Sequence, residues 1–165
     1  MGTVSALGAW VRAGLVVIAV LVLDQLSKHL VRGSIVPGEE RNVLPGIQLV
    51  NTRNHGVAFG FLPGDQTLVT LVIVVALLAL LVYFALHVTR PLLWLPTGML
   101  VGGALGNILD RLREGSVTDF VKLPLGWPPF NLADTSITLG VLLLLFVLET
   151  GAGSELNSGR KNPLR

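Results

Sequence analysis

The chain has 165 residues, of which 52% are hydrophobic and only 13% charged, with a mean hydropathy of +0.72. That composition excludes an ordinary soluble domain and points to a membrane protein. Twelve Lys and Arg against ten Asp and Glu leave a net charge of +2 with no dense basic run, so nucleic-acid binding has no support; the absence of cysteine excludes disulfides, thiolate chemistry and acylation of this chain on Cys.

Crossing about 30 Å of hydrocarbon takes about 20 apolar residues in a helix. Four stretches approach or meet that length: 11–31, 67–86, 92–109 and 132–148. The first, "AGLVVIAVLVL" in its core, is followed by "DQLSKHL" rather than by a small-residue cleavage site, so it reads as a retained helix and not as a signal peptide. It ends in Asp24 and Lys28, an i,i+4 pair with the acid first, the favourable order for an ion pair. Interfacial anchoring, with Lys28 snorkelling to headgroups, is the plainer reading of that pair.

Residues 33–65 form a long loop in which "GIQLVN" partly alternates like a strand. The second apolar stretch, "LVTLVIVVALLALLVYFAL", has no polar face, which suits lipid contact on most sides. The third contains Pro96 and "GMLVGG", small residues that let helices approach closely, and ends in Asn107, Asp110 and Arg111. Asn107 and Arg111 are again i,i+4. A second loop, 110–131, contains "SVTDFVKL", where alternation puts Asp119 with Val117, Val121 and Leu123 on one strand face. Lys122 falls on the opposite face. A small sheet built from the two loops is expected. The fourth stretch opens with Asn131, Ala133 and Asp134, and 151–165 reads as a flexible tail after a single unit spanning 1–150.

Four spans put both termini on one side and both long loops on the other. The Lys/Arg count does not settle which is which: Arg12, Arg90, Arg160, Lys161 and Arg165 stand against the other seven. The short "HVTR" loop and the basic tail favour cytoplasmic termini. On this topology Asp24 and Lys28, Asn107 to Arg111, and Asn131 to Asp134 all reach the same membrane face.

Asp119 and Asp134 could then meet at the lipid–water boundary. Two adjacent carboxylates share a proton, so that one can act as general base toward water and the other as general acid. The residues alone leave this open, because a loop Asp is usually solvated and Asp134 also fits a helix N-cap. No metal-ligand spacing links His29, His55 and His87, and there is neither a GxSxG motif nor a phosphate-binding loop, so no cofactor or metal is expected. A small transporter or ion-pathway component using Asp24, Lys28, Asp110 and Asp134 is the rival from another class, and a membrane scaffold the blandest. A pathway would need polar residues through the depth of the bundle, and the second span has none.

Taken together, "DQLSKHLV" (24–31), "NHGVAFGFL" (54–62), "GGALGNILDRLREGSVTDF" (102–120) and "FNLADTSI" (130–137) resemble the lipoprotein signal peptidases, or signal peptidase II, over about 24–148 and in the family's order. The resemblance implies an all-α membrane fold of four transmembrane helices with an extracytoplasmic β-cradle and a short interfacial helix. It implies both termini in the cytoplasm of a bacterium and an active site near the outer face of the inner membrane. The activity it implies is an aspartic endopeptidase that cleaves diacylglyceryl-modified prolipoproteins just before the lipidated Cys. The partners would be those substrates and membrane lipids, with the enzyme a monomer.

The catalytic aspartates of the family's V-x-D-F and F-N-x-A-D motifs correspond here to Asp119 and Asp134. Its substrate-binding or dyad-supporting residues correspond to Asn54, Gly56, Asn107, Arg111, Asn131 and Ala133, with Asp24 and Lys28 as structural support. His55, Val57 and Lys122 depart from the usual pattern and put none of these in doubt.

Overall fold

The computed structural model describes residues 5–55, 66–124 and 126–160. Helix α1 (Ala6–Ser34) begins at Ser5, whose Oγ accepts from Gly8 N at 3.1 Å, and gives way to extended backbone at Ile35. Strands β1 (Glu40–Leu44) and β2 (Ile47–Asn54) form a hairpin closed by Pro45 and Gly46. Gly46 takes a φ of +80°, the conformation that a turn of this kind demands and only glycine adopts cheaply. Helices α2 (Gln66–Leu86) and α3 (Trp94–Glu114) follow, then β3 (Val117–Lys122) and α4 (Leu132–Arg160).

A helix covers each of the four apolar stretches, each longer than or shifted from its apolar run. α3 extends to Glu114, past Leu109, because Asp110 and Arg111 find buried partners and Gly115, with a φ of +68°, ends the helix. α4 continues as helix beyond Gly151 to Arg160, through residues whose composition suggested a tail. Among the described residues there is no short interfacial helix, and Gly56 and Val57 lie outside them.

α3 is the central helix, packed along both α1 and α4, while α2 sits against α3. Small residues allow the close approach. A Cβ on Gly102 would lie 2.9 Å from Val20 Cβ of α1, and one on Gly103 would lie 2.7 Å from Ala133 O of α4. By length and composition, α1 and the segment Leu132–Thr150 of α4 can each cross a membrane, and Thr70–Leu86 is a shorter apolar helix. Leu15, Ile18 and Val22 on α1, Leu71, Val75 and Leu78 on α2, and Leu142, Leu145 and Phe146 on α4 are exposed, an apolar surface that suits lipid rather than water.

The three strands form one antiparallel sheet in the order β1-β2-β3, so the two long loops do meet. β1, whose sequence "ERNVL" lacks alternation, was not foreseen. Val31 and Ile35 at the end of α1 pack against Phe120, with Leu49 and Val121 beside them, and this seats the sheet on the helical bundle.

Candidate active site

The polar ends of α1, α3 and α4 and the strand β3 converge, as their order along the chain predicted. Gly115 is what makes the last part possible: its left-handed backbone stops α3 and allows the chain to enter β3 at Val117. Asp119 is therefore returned beside the residues at the end of α3.

Asp24, Lys28 and Asp110 form a buried charge cluster. The Lys28 ammonium lies 2.8 Å from Asp24 Oδ2 and 3.1 Å from Asp110 Oδ2, and all three side chains are essentially without solvent exposure. Lys28 is thus no snorkelling anchor; its charge is held inside. Arg32, 3.8 Å from Asp110, balances the second carboxylate. Gln25 donates to Asp110 Oδ1 at 3.0 Å and to Gly106 O at 3.2 Å. Asp24 Oδ1 accepts from Ala133 N at 2.9 Å, satisfying one of the orphan donors at the start of α4. The contribution of Ala133, fully buried, is therefore its backbone and its small size.

From this cluster two amides carry order outward. Asn107 Oδ1 accepts from Lys28 Nζ at 2.9 Å and from Asn131 Nδ2 at 3.3 Å, which leaves its Nδ2 to donate to Asp134 Oδ1 at 2.8 Å. Asn131 Nδ2 donates to Asp119 Oδ1 at 2.7 Å, and Asn54 Nδ2 donates to Asp119 Oδ2 at 2.9 Å. Arg111 Nη1 donates to Asn107 O at 3.3 Å.

The N-cap reading of Asp134 is corrected by the geometry. The cap is Asn131, whose Oδ1 accepts from Asp134 N at 2.9 Å, while Asp134 Oδ2 accepts from Asn131 N at 3.1 Å. This reciprocal pair is a capping box, with Asp134 as its third-position member. It leaves Asp134 Oδ1 facing Asn107 and the site.

Asn131 consequently touches both carboxylates, Asp119 through its side chain and Asp134 through its backbone. Asp119 is almost fully buried, and burial followed by the charge of Asp134 pushes its carboxyl up to about 6, against the opposing hydrogen bonds of Asn54 and Asn131 and the charge of Lys28. Lys122 pairs with Glu40 on the other side of the sheet, as strand alternation requires. Sequence reasoning gave no role to Gln25 or Thr118; Arg32 was marked only as a cation near the polar clusters, and Asp110 as a polar residue ending an apolar span with a part in the ion-pathway alternative alone.

Two helices long and apolar enough to cross a bilayer, with a dense, buried set of carboxylates, amides and an ammonium at one end, fit a helical membrane protein with an acidic polar site. The sequence pattern of signal peptidase (SPase) II matches residues 16–149, and the chain belongs to that family of peptidases. Lipoprotein signal peptidases from Moorella thermoacetica and Syntrophomonas wolfei are 42% and 41% identical over 86% and 84% of this chain, and 95% and 94% of their own. One from Staphylococcus aureus is 32% identical over 81% of this chain and 85% of its own. Two solved structures described as bacterial membrane enzymes determined by the in meso method are similar in fold. The one at 2.3 Å resolution has a TM-score of 0.79 at 28% identity over 93% of both chains. The one at 1.9 Å has a TM-score of 0.73 at 32% identity over 82% of this chain and 91% of its own.

Proposed function

We propose that this peptidase is an aspartic endopeptidase of the bacterial cytoplasmic membrane that removes signal peptides from prolipoproteins, with Asp119 and Asp134 as its catalytic pair. The substrate class rests on family membership and on relatives that are lipoprotein signal peptidases. The observation that carries the catalytic assignment is the bridge through Asn131, which holds the two carboxylates in one network of directed donors.

The pair holds one proton. The ionised carboxylate takes a proton from water as the water attacks the scissile carbonyl, and the protonated partner donates to the carbonyl oxygen. Collapse of the tetrahedral intermediate breaks the C–N bond, and the proton taken from water goes to the leaving amine. No covalent intermediate and no metal enter. In this reading Asn54 and Arg111 would hold the peptide backbone, and Asn107 and Asn131, with donors on Asp134 and Asp119, would orient the pair.

The diacylglyceryl group on the Cys after the scissile bond would remain in lipid beside the bundle. α2 and α3 complete four spans in this reading, with both termini in the cytoplasm, the sheet outside and the enzyme working as a monomer. A transporter is disfavoured because the buried charged residues gather at one end and α2 carries no charged side chain.

Incubation of the purified protein with a diacylated prolipoprotein tests the reading through release of the signal peptide. Absence of cleavage would overturn the function. Asp119→Asn and Asp134→Asn should each lose about a thousandfold or more in turnover, because a pair acts as a unit; appreciable cleavage by either would overturn the assignment of the pair.

A further inference from the structure

Thr118 lies between Val117 and Asp119 in β3, on the strand face opposite the Asp119 carboxylate. It is completely buried. Its hydroxyl oxygen accepts from Arg32 Nη1 at 3.0 Å and lies 3.5 Å from Arg53 Nη1, at the limit of a second bond. Its backbone N donates to Asp110 Oδ2 at 3.1 Å, and its carbonyl lies 3.4 Å from Asn131 Nδ2. Every polar group of this one residue is therefore engaged, by α1, β2, α3 and the cap of α4.

The sheet beside it does not supply that precision. The β2–β3 register shifts between Leu49 and Thr52, immediately before Thr52 faces Asp119 and Arg53 faces Thr118. Such an irregularity interrupts the ladder, and a slip of one residue in β3 would turn Asp119 away from Asn131 and Asn54. Arg32 is itself paired with the buried Asp110 at 3.8 Å, and Arg53 pairs with Glu114 at the surface at 3.4 Å.

We propose that Thr118 is a positioning residue of the reaction, its hydroxyl pegged by Arg32 and Arg53 so that the next residue, Asp119, is held in register with Asp134. The inference rests on the reading of Asp119 and Asp134 as the catalytic pair. Thr118 touches neither water nor peptide; it acts through the backbone it shares with Asp119.

The test compares the full-length parent with Thr118→Val, Thr118→Ser, Arg32→Lys and Asp119→Asn on a diacylated prolipoprotein, with kcat, KM and the melting midpoint measured for each. Valine keeps the β-branched shape and removes the acceptor; serine restores the acceptor. Thr118→Val should lower kcat about tenfold while KM and the melting midpoint stay near parental values, in keeping with the sensitivity of catalysis to small misplacement. Thr118→Ser should recover most of that loss, and Arg32→Lys, which keeps the charge but cannot reach both Thr118 and Asp110 with a planar fork, should lower kcat in the same direction.

Parental kcat in Thr118→Val, an equal loss in the valine and serine variants, or a loss confined to KM or matched by a lowered melting midpoint would overturn the inference. Should Thr118→Val not fold, parental kcat in Arg32→Lys overturns it. Residual cleavage by Asp119→Asn would overturn the catalytic reading and this inference with it, whereas parental kcat in Thr118→Val beside an inactive Asp119→Asn overturns this inference alone.

Discussion

The Lys28 ammonium lies 2.9 Å from the side-chain oxygen of Asn107, and that contact fixes which way the Asn107 amide points. With a cation on its oxygen, its NH₂ must face Asp134, which it meets at 2.8 Å. A residue two contacts away thus determines that a donor, not an acceptor, is presented to one carboxylate of the pair.

Asn107→Asp separates those two roles. The substituted side chain can still accept from Lys28 but opposes Asp134 with a second acceptor. Turnover should fall about a hundredfold, the scale of losing one well-placed donor, while far-UV circular dichroism remains parental. Near-parental turnover would show that the donor to Asp134 is dispensable.

On the proposed mechanism turnover should also follow a bell-shaped pH profile, because a pair sharing one proton would lose competence on gaining or losing it. Asp119 is pushed up to about 6, so the alkaline limb should lie at about 6 or higher, well above the ordinary carboxylate range. Initial rates measured between pH 4 and 10 on one substrate check this, since a flat profile or an alkaline limb near pH 4 excludes a shared proton.

The helical features of the site were legible because a helix repeats. Asp24 with Lys28 and Asn107 with Arg111 could be placed on shared faces by counting, and alternation along 117–123 placed Asp119 opposite Lys122. The "NLAD" run was read as a helix start but with the wrong residue as cap, because Asn131 and Asp134 are both competent and only the geometry shows that they reciprocate. The bond from Thr118 N to Asp110 was not legible at all. It depends on the turn at Gly115 and on a register shift in the sheet, neither of which leaves a periodic trace. Gln25 escaped for a related reason: an uncharged side chain between Asp24 and Lys28 shows no sign of reaching across to Asp110.

Asp119 also has a measurable effect on stability. Its folded pKa, near 6, lies above the ordinary value of 3.8, so the folded state binds this proton more tightly than the unfolded chain does. Below about pH 4 the group is protonated in both states and contributes nothing. Between about pH 4 and 6 the parent loses stability as the pH rises, and above that the full penalty, on the order of 3 kcal/mol at most, applies. Asp119→Asn removes it. The melting midpoint of the variant relative to the parent should therefore rise from pH 4 to 6 and then level off. A relative midpoint that fell over that range would contradict the direction of the shift.

Gly106 gives a final test of how tightly the charge cluster is built. A Cβ there would lie 2.5 Å from Asp24 Oδ2, and Asp24 is already committed to Lys28 and to the N–H of Ala133. Nothing flexible can give way without disturbing the start of α4. At Gly14 in α1 a Cβ would meet no atom within 4 Å, so alanine there acts through backbone entropy alone. Gly14→Ala should stabilise by up to about 1 kcal/mol, the ordinary gain of alanine over glycine inside a helix. Gly106→Ala earns the same propensity but forces Asp24 aside, and should be net destabilising by about 1–3 kcal/mol, with turnover reduced because Ala133 and Lys28 both shift. Thermal denaturation of the two variants beside the parent decides it: if both substitutions stabilise equally, the contact between Gly106 and Asp24 does not constrain the site.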